Sequence, residues 1–463
     1  MKKFWWPIAG LLFVHLFLLF SFQFTAWPEM FSFPYLLNNR FRLYVDFVHP
    51  YPPLLTQVLA GLYRIFGYQL WVLQTITWLL ILVADLLIIK IIWLVSKSHM
   101  ATLVGLSFYI LTQPFLEGNM LWFDTAIVAP VLAGTYFMLK RRYFWSGLFL
   151  ALAVLTKQTA GVFLVFGVSY VIYIEKDFKK VVSFLLVPLL VGLGLLGYLL
   201  VTNTVVDFVN WTLVYPSKYW TVFPGYVQMA LSKREWLVVL ALSLPALAML
   251  FKLGQKVFFK KPLIYLFGSL LLAIVIVYPR WSFFHFQTAL AFLAILAGCA
   301  LFVSRRLRIF LSGVCCALHI VLVIIPVIKS SWHREVRFWS TIELETAQVV
   351  EQKLSGSNNL FLLGPNSIYY VLTETLPPKP WLDNFGWYWE IPGVAKETLA
   401  FWDLNPPDYV LAEKPQTGQW YELGVYRPQL ITNWLIKNYN QKELINDNLT
   451  LWQKKNLPAG RQD

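Results

Sequence analysis

Four stretches of the chain bring together residue types that can do chemistry. The first runs from Trp27-Pro28-Glu29 to Tyr44-Val45-Asp46-Phe47-Val48-His49-Pro50-Tyr51-Pro52-Pro53-Leu54. The second is Glu117 to Asp124, the third Leu155-Thr156-Lys157-Gln158-Thr159, and the fourth Tyr278-Pro279-Arg280 to His285. A carboxylate such as Glu29 or Asp46 can take a proton from an attacking hydroxyl. Lys157 and Arg280, with His285 assisting, can hold an anion through charged hydrogen bonds. Each stretch also has a plain reading. Asp124 could complement a helix N-terminus, Lys157 could snorkel, and Arg280 could be an interfacial cation. The first stretch could be an ordered loop with an aromatic belt, although a linker has no need of an acid flanked by Tyr44, His49 and proline. What decides between these readings is where the elements put the four stretches.

The elements are membrane spans. Of 463 residues, 58% are apolar and 13% charged, against roughly 45–50% and 25% in an ordinary soluble domain. Mean hydropathy is +0.60. This excludes a soluble globular enzyme, a disordered chain and a disulfide-rich module. Runs of about 20 mainly apolar residues predict eleven spans, near 4–24, 69–93, 100–116, 124–139, 143–157, 159–174, 181–201, 236–251, 262–278, 284–303 and 309–328. The first is too long and lacks a small-residue cleavage site, so it reads as a span and not a cleaved signal.

The positive-inside rule orients them. With the N-terminus in the cytoplasm, every inner loop is a basic cluster: Lys90 and Lys97, Lys140 to Arg142, Lys176, Lys179 and Lys180, Lys252, Lys256, Lys260 and Lys261, and Arg305, Arg306 and Arg308. The basic excess lies before residue 330, which points to lipid phosphate and not to nucleic acid. Cys299, Cys315 and Cys316 lie in apolar runs and read as packing residues.

An odd number of spans places the chain from 330 to 463 outside the membrane. There, short apolar runs (Leu360–Leu363, Tyr409–Leu411) alternate with turns and with helix-like stretches near 336–354, 394–403 and 428–438, which predicts a small α/β domain. Its end, from Lys454, reads as disordered. The fold class is therefore mainly α: a polytopic helical bundle, 1–329, with a small C-terminal α/β domain. The same topology puts all four chemical stretches on one outer face of an inner, plasma membrane, the first of them in a long loop over 25–68. Pro52-Pro53-Leu54 opens an amphipathic stretch to Phe66 that reads as a helix lying at the interface.

These residues resemble the GT-C fold glycosyltransferases, in particular the branch with protein O-mannosyltransferases and the lipid A aminoarabinose transferase. The branch shows an acid near the end of the first span (Glu29), a Tyr-x-Asp (Tyr44, Asp46), a Pro-Pro-Leu (Pro52 to Leu54), an Asp opening the fourth span (Asp124) and a Leu-Thr-Lys at the fifth (Lys157). The resemblance implies a polyprenyl-phosphate sugar donor, a lipid, glycan or protein acceptor, and the bilayer as surroundings. Asp46 or Glu29 would be the base, and Asp124, Lys157, Arg280, His285, His49 and Tyr44 would bind substrate. Related enzymes often carry adjacent Asp-Glu; Pro28-Glu29-Met30 offers one acid. No Asp-x-Asp pair stands in the outer loops, so no firm metal site is implied; Asp46 with Asp124 leaves room for a weak divalent-cation site. A transporter or lipid flippase is the alternative class. It calls for charges spread through the spans and for paired repeats. Asp85 is the one acid well inside a span, where it reads as a structural partner in the bundle, and no repeat is visible.

Overall fold

The computed structural model describes residues 2–253, 261–300, 313–314, 316–414 and 428–455. Cys315, the basic residues Lys256, Lys260, Arg305, Arg306 and Arg308, parts of the tenth and eleventh spans, and the chain end from 456 lie outside the described residues.

A helix lies in each of the eleven predicted stretches: Lys2–Ser21, Leu70–Ser96, His99–Ile110, Phe123–Leu139, Tyr143–Thr156, Gln158–Glu175, Phe178–Val201, Lys233–Leu253, Lys261–Val275, Gln287–Cys299 and Cys316–Ser331. Among the described residues, three are long and apolar enough to cross a membrane by length and composition: Leu70–Ser96, Gln158–Glu175 and Phe178–Val201. Others stop early and continue as turns. The helix from His99 ends at Ile110, and Leu111 to Glu117 are turns that carry the chain to Asp124.

Two features hold the bundle centre. A side chain at Gly105 would meet the Ala294 carbonyl at 2.8 Å, and one at Gly298 would meet the Ala101 carbonyl at 2.6 Å. These small residues let helices His99–Ile110 and Gln287–Cys299 touch backbone to backbone. Nearby, His15 Nδ1 lies 2.7 Å from Asp85 Oδ2, and His15 Nε2 lies 3.1 Å from Gln113 Oε1. His15 and Asp85 are fully buried, so Asp85 has its partner inside the bundle, as a buried charge requires.

Over one end of the bundle lies a second layer. The interfacial helix forms over Leu54–Phe66, burying Leu55, Leu59 and Tyr63 and exposing Val58, Ile65 and Phe66. A further helix, Glu29–Asn38, packs on it. Its sequence, EMFSFPYLLN, has neither a polar cap nor an amphipathic period, so tertiary packing, not propensity, holds it.

The C-terminal segment carries a four-stranded sheet. Strands β1 (Leu360–Leu363), β2 (Tyr409–Glu413), β3 (Tyr439–Leu444) and β4 (Leu449–Lys454) take the order β1-β2-β4-β3. β1 and β2 are parallel, and the other two pairs are antiparallel. Helices Thr341–Lys353, Val394–Leu404 and Gln429–Asn438 stand beside it. β3 and β4 were not foreseen, because β3, YNQKEL, is an edge strand exposed along most of its length. The sheet and the first loop share one core, in which Phe31, Phe33 and Phe47 join Phe361, Tyr370, Trp381 and Trp402. Backbone bonds seal the join: Trp381 N–H donates to the Asp46 carbonyl (2.9 Å) and Val48 N–H to the Trp381 carbonyl (3.1 Å).

Candidate active site

The best-defined cluster centres on Asp124, in the first turn of helix Phe123–Leu139. Lys157 Nζ lies 2.5 Å from its Oδ1, and His285 Nδ1 lies 2.8 Å from its Oδ2. Lys157 is the extended residue that caps the end of helix Tyr143–Thr156. His285 precedes helix Gln287–Cys299. Three elements thus converge on one acid, and Asp124 and Lys157 are both buried. The plain readings of a helix-terminus acid and a snorkelling lysine give way to a buried ion pair.

Glu29 opens helix Glu29–Asn38 at the same face and is 4% exposed. Its Oε2 has no hydrogen-bond partner. Burial raises its carboxyl well above the usual range, and the charge of Asp383 adds to the rise. Asp383 is itself buried, and burial raises it too; the Asn384 amide donates to its Oδ1 at 2.7 Å.

Tyr51 lies between these groups. Its ring stacks on Phe123 with centroids 3.7 Å apart. Burial raises its hydroxyl well above the usual tyrosine value; Asp124, Tyr226 and Glu29 add to that and Arg280 opposes it. Asp124, Glu29 and Arg280 therefore all act on one hydroxyl. The Arg280 guanidinium lies over the rings of Trp387 (5.0 Å) and Tyr226 (6.0 Å). It has no carboxylate partner among the described residues, which leaves a stacked planar fork open to an anion.

Asp46, Tyr44 and His49 sit differently. Asp46 accepts from the Arg42 amide (2.9 Å), the Arg42 guanidinium (3.2 Å) and Lys379 (3.0 Å). Burial raises its carboxyl, but these three donors outweigh burial and hold it below the usual range. Tyr44 donates its hydroxyl to the Tyr51 carbonyl (3.0 Å). His49 donates Nδ1–H to that same carbonyl and accepts at Nε2 from Thr56, both at 2.7 Å. Burial lowers His49 to about 4, so it is neutral. Tyr44 and His49 thus fix Tyr51, and Asp46 ties the loop to the C-terminal segment. The proposed cation site between Asp46 and Asp124 finds no support here: each carboxylate is held by its own cations, and a shared metal would have to displace both sets. Among the described residues, no group of three His, Cys, Asp or Glu is placed to hold a metal.

Sequence reasoning missed Asp383, Tyr226, Trp387 and Tyr388. A signal was present: Trp381-Leu382-Asp383-Asn384-Phe385-Gly386-Trp387-Tyr388-Trp389 is an acid among aromatics, the pattern that marked the first loop. Around the site, Trp122 Nε1, Trp220 Nε1 and Gln158 Oε1 are also buried without partners. Of the aromatics around the site, Trp122 packs on Trp27 and Trp220 on Tyr388, while Tyr219 stands at the edge of the cluster. So many orphaned polar atoms in one place point to a site made for a polar occupant.

The helical bundle, capped on one face by two loop helices and a small mixed sheet, has the GT-C fold, as its likeness to solved structures shows. Among the solved structures it is similar to are ArnT from Cupriavidus metallidurans bound to undecaprenyl phosphate (11% identity, 98% of each chain covered, TM-score 0.58) and the same protein in the apo state (12%, 96% of each, 0.59). A third is the oligosaccharyltransferase AglB from Archaeoglobus fulgidus in complex with an inhibitory peptide and a dolichol-phosphate (10%, 89% of this chain and 70% of that one, 0.52). At such identities the likeness establishes the fold alone. No known family profile matches the sequence, and neither does any curated protein.

Proposed function

We propose that this chain is a membrane glycosyltransferase that moves a sugar, a hexose or pentose, from a polyprenyl-phosphate donor to an acceptor hydroxyl on a lipid, glycan or protein. It works at the outer face of the inner membrane, with the N-terminus in the cytoplasm and 330–463 as the extracytoplasmic domain. The observation that carries the reading is the pairing, on one face, of a buried carboxylate with a free oxygen, Glu29, and a stacked cation without a carboxylate partner among the described residues, Arg280. The lipid phosphates in two of the similar structures support the donor class.

In this mechanism Glu29 takes the proton of the acceptor hydroxyl as its oxygen attacks the anomeric carbon. The bond from that carbon to the phosphate oxygen breaks, and the lipid phosphate leaves with the electron pair. Phosphate is a good leaving group and needs no general acid. One displacement inverts the anomeric carbon, the same geometric logic that separates inverting from retaining glycosidases. Arg280, with Lys157 and His285, stabilises the charge that grows on the phosphate. Asp124 holds Lys157 and His285 in place. Of the two candidate bases, Glu29 is favoured: its environment raises it toward the working pH, whereas Asp46 is spent on Arg42 and Lys379. Asp46, Tyr44 and His49 position the loop.

The test uses purified protein in lipid with a panel of radiolabelled polyprenyl-phosphate sugars and mixed acceptors. Release of free polyprenyl phosphate, and its slowing by Arg280→Gln, is the expected result. Neither release nor binding with any donor overturns the reading.

A further inference from the structure

At the far end of the same helices lies a polar feature that the transferase reading does not use. Helix Phe123–Leu139 runs away from Asp124 and helix Tyr143–Thr156 runs back to Lys157. Residues 140–142 therefore turn about 20 Å from the candidate site, at 1.5 Å per residue. There Arg141, Arg142, Trp145, Lys179, Lys180 and Ser183 help to line an open cavity of about 520 Å³.

The charges in it are not balanced. Glu175 pairs with Lys180, lies 3.5 Å from Arg141 and accepts from the Tyr143 hydroxyl at 2.6 Å. Lys180 also lies 4.0 Å from Asp177. The Lys179 amide donates to Asp177 (3.0 Å), but the Arg142 guanidinium and the Lys179 ammonium have no carboxylate partner among the described residues. Their spacing is fixed from beneath: a side chain at Gly147 would meet the Phe184 carbonyl oxygen at 2.1 Å, so helices Tyr143–Thr156 and Phe178–Val201 are in backbone contact just inside the cavity. Phe144 and Trp145 at its rim are 40% and 45% exposed. Exposed rings where spans end sit at the headgroup level of a bilayer. Orientation by positive charge alone requires basic residues in a loop, but no cavity.

We propose that this cavity binds the phosphodiester headgroup of an anionic phospholipid, in the leaflet opposite the transferase site. Arg142 and Lys179 hold the phosphate, and Trp145 lies against the glycerol. The inference rests on this cavity and on the reading of its helices as membrane spans; lipid binding there does not depend on the transferase reading. A free phosphate ion offers the same chemistry; the aromatic rim and the level of the cavity favour the lipid.

The full chain is reconstituted in nanodiscs of phosphatidylcholine and phosphatidylglycerol, extracted into mild detergent, and its retained lipids are counted by native mass spectrometry. Wild type should keep phosphatidylglycerol over phosphatidylcholine by about tenfold or more, as two cations at a membrane surface allow. Arg142→Gln with Lys179→Gln should lose the preference, and Lys179→Arg should keep it. Arg142→Gln alone, which leaves every ion pair described here intact, should lower it. Millimolar inorganic phosphate should not displace the lipid. No preference in wild type, an unchanged preference in the double variant, or displacement by inorganic phosphate would each overturn the proposal.

Discussion

Lys157 Nζ lies 2.5 Å from Asp124 Oδ1, which makes the cap of one span and the first turn of another a single buried unit. Removing one partner from such a pair leaves an uncompensated charge and costs about 3–5 kcal/mol. Asp124→Asn should therefore destabilise the protein strongly. Asp124→Asn with Lys157→Met should cost less than the two single changes added together. Thermal unfolding of the four proteins in one detergent measures the coupling; strict additivity would refute the pair.

The same reasoning applies inside the bundle. His15 and Asp85 are fully buried partners. Asp85→Leu should destabilise by about 1–3 kcal/mol, because it leaves the buried His15 Nδ1 without its partner while Nε2 keeps Gln113, and His15→Leu with Asp85→Leu should recover much of that loss. Protein that folds in the double variant should keep its turnover. A proton-coupled transporter would instead need Asp85, so a fold-competent but inactive double variant would favour that class.

Much of this arrangement was legible in the sequence. A helix in each of the eleven apolar stretches was legible from run length, which depends on local composition alone; among the described residues three of them are long and apolar enough to cross a membrane. Asp124, Lys157 and His285 came to one face through topology, although the reading could not say that they touch. The roles inside the first loop were not legible. Asp46 finds Lys379 across 333 residues, and Glu29 feels Asp383 across a longer gap. No local pattern records such contacts. The helix Glu29–Asn38 escaped for the same reason: its buried faces are set by Tyr63 and Trp339, not by its own period.

The raised carboxyl of Glu29 has a pH signature. As a base it must be ionised, so turnover should rise with pH through a value above the ordinary carboxylate range. Asp383→Asn removes a charge that raises Glu29, so the rising limb should move to lower pH. Stability runs the other way. A folded-state value above the unfolded one means that the native chain holds the extra proton, so stability is full at low pH. It falls as pH climbs from about 4.3, the ordinary Glu value, to the raised one. Glu29→Gln should flatten that part of the melting-temperature profile. An unshifted limb in Asp383→Asn would contradict the coupling.

Arg280 stacks on Trp387 and Tyr226. Lysine keeps the charge but loses the planar fork. Arg280→Lys should raise KM for the donor more than it lowers kcat, while Lys379→Ala, which removes an exposed lysine from a carboxylate that keeps its Arg42 bonds, should change stability by only about 1 kcal/mol. Donor titrations and melting curves check the two.

The most direct test of the account compares Glu29→Gln with Asp46→Asn. Both are made in the full chain in nanodiscs, and release of free polyprenyl phosphate is followed at saturating donor and acceptor. Loss of a general base costs about 10²- to 10⁴-fold. The account predicts a loss of that size for Glu29→Gln with donor binding kept, and measurable turnover for Asp46→Asn. Wild-type release from Glu29→Gln, or abolished release with intact fold in Asp46→Asn alone, would contradict it.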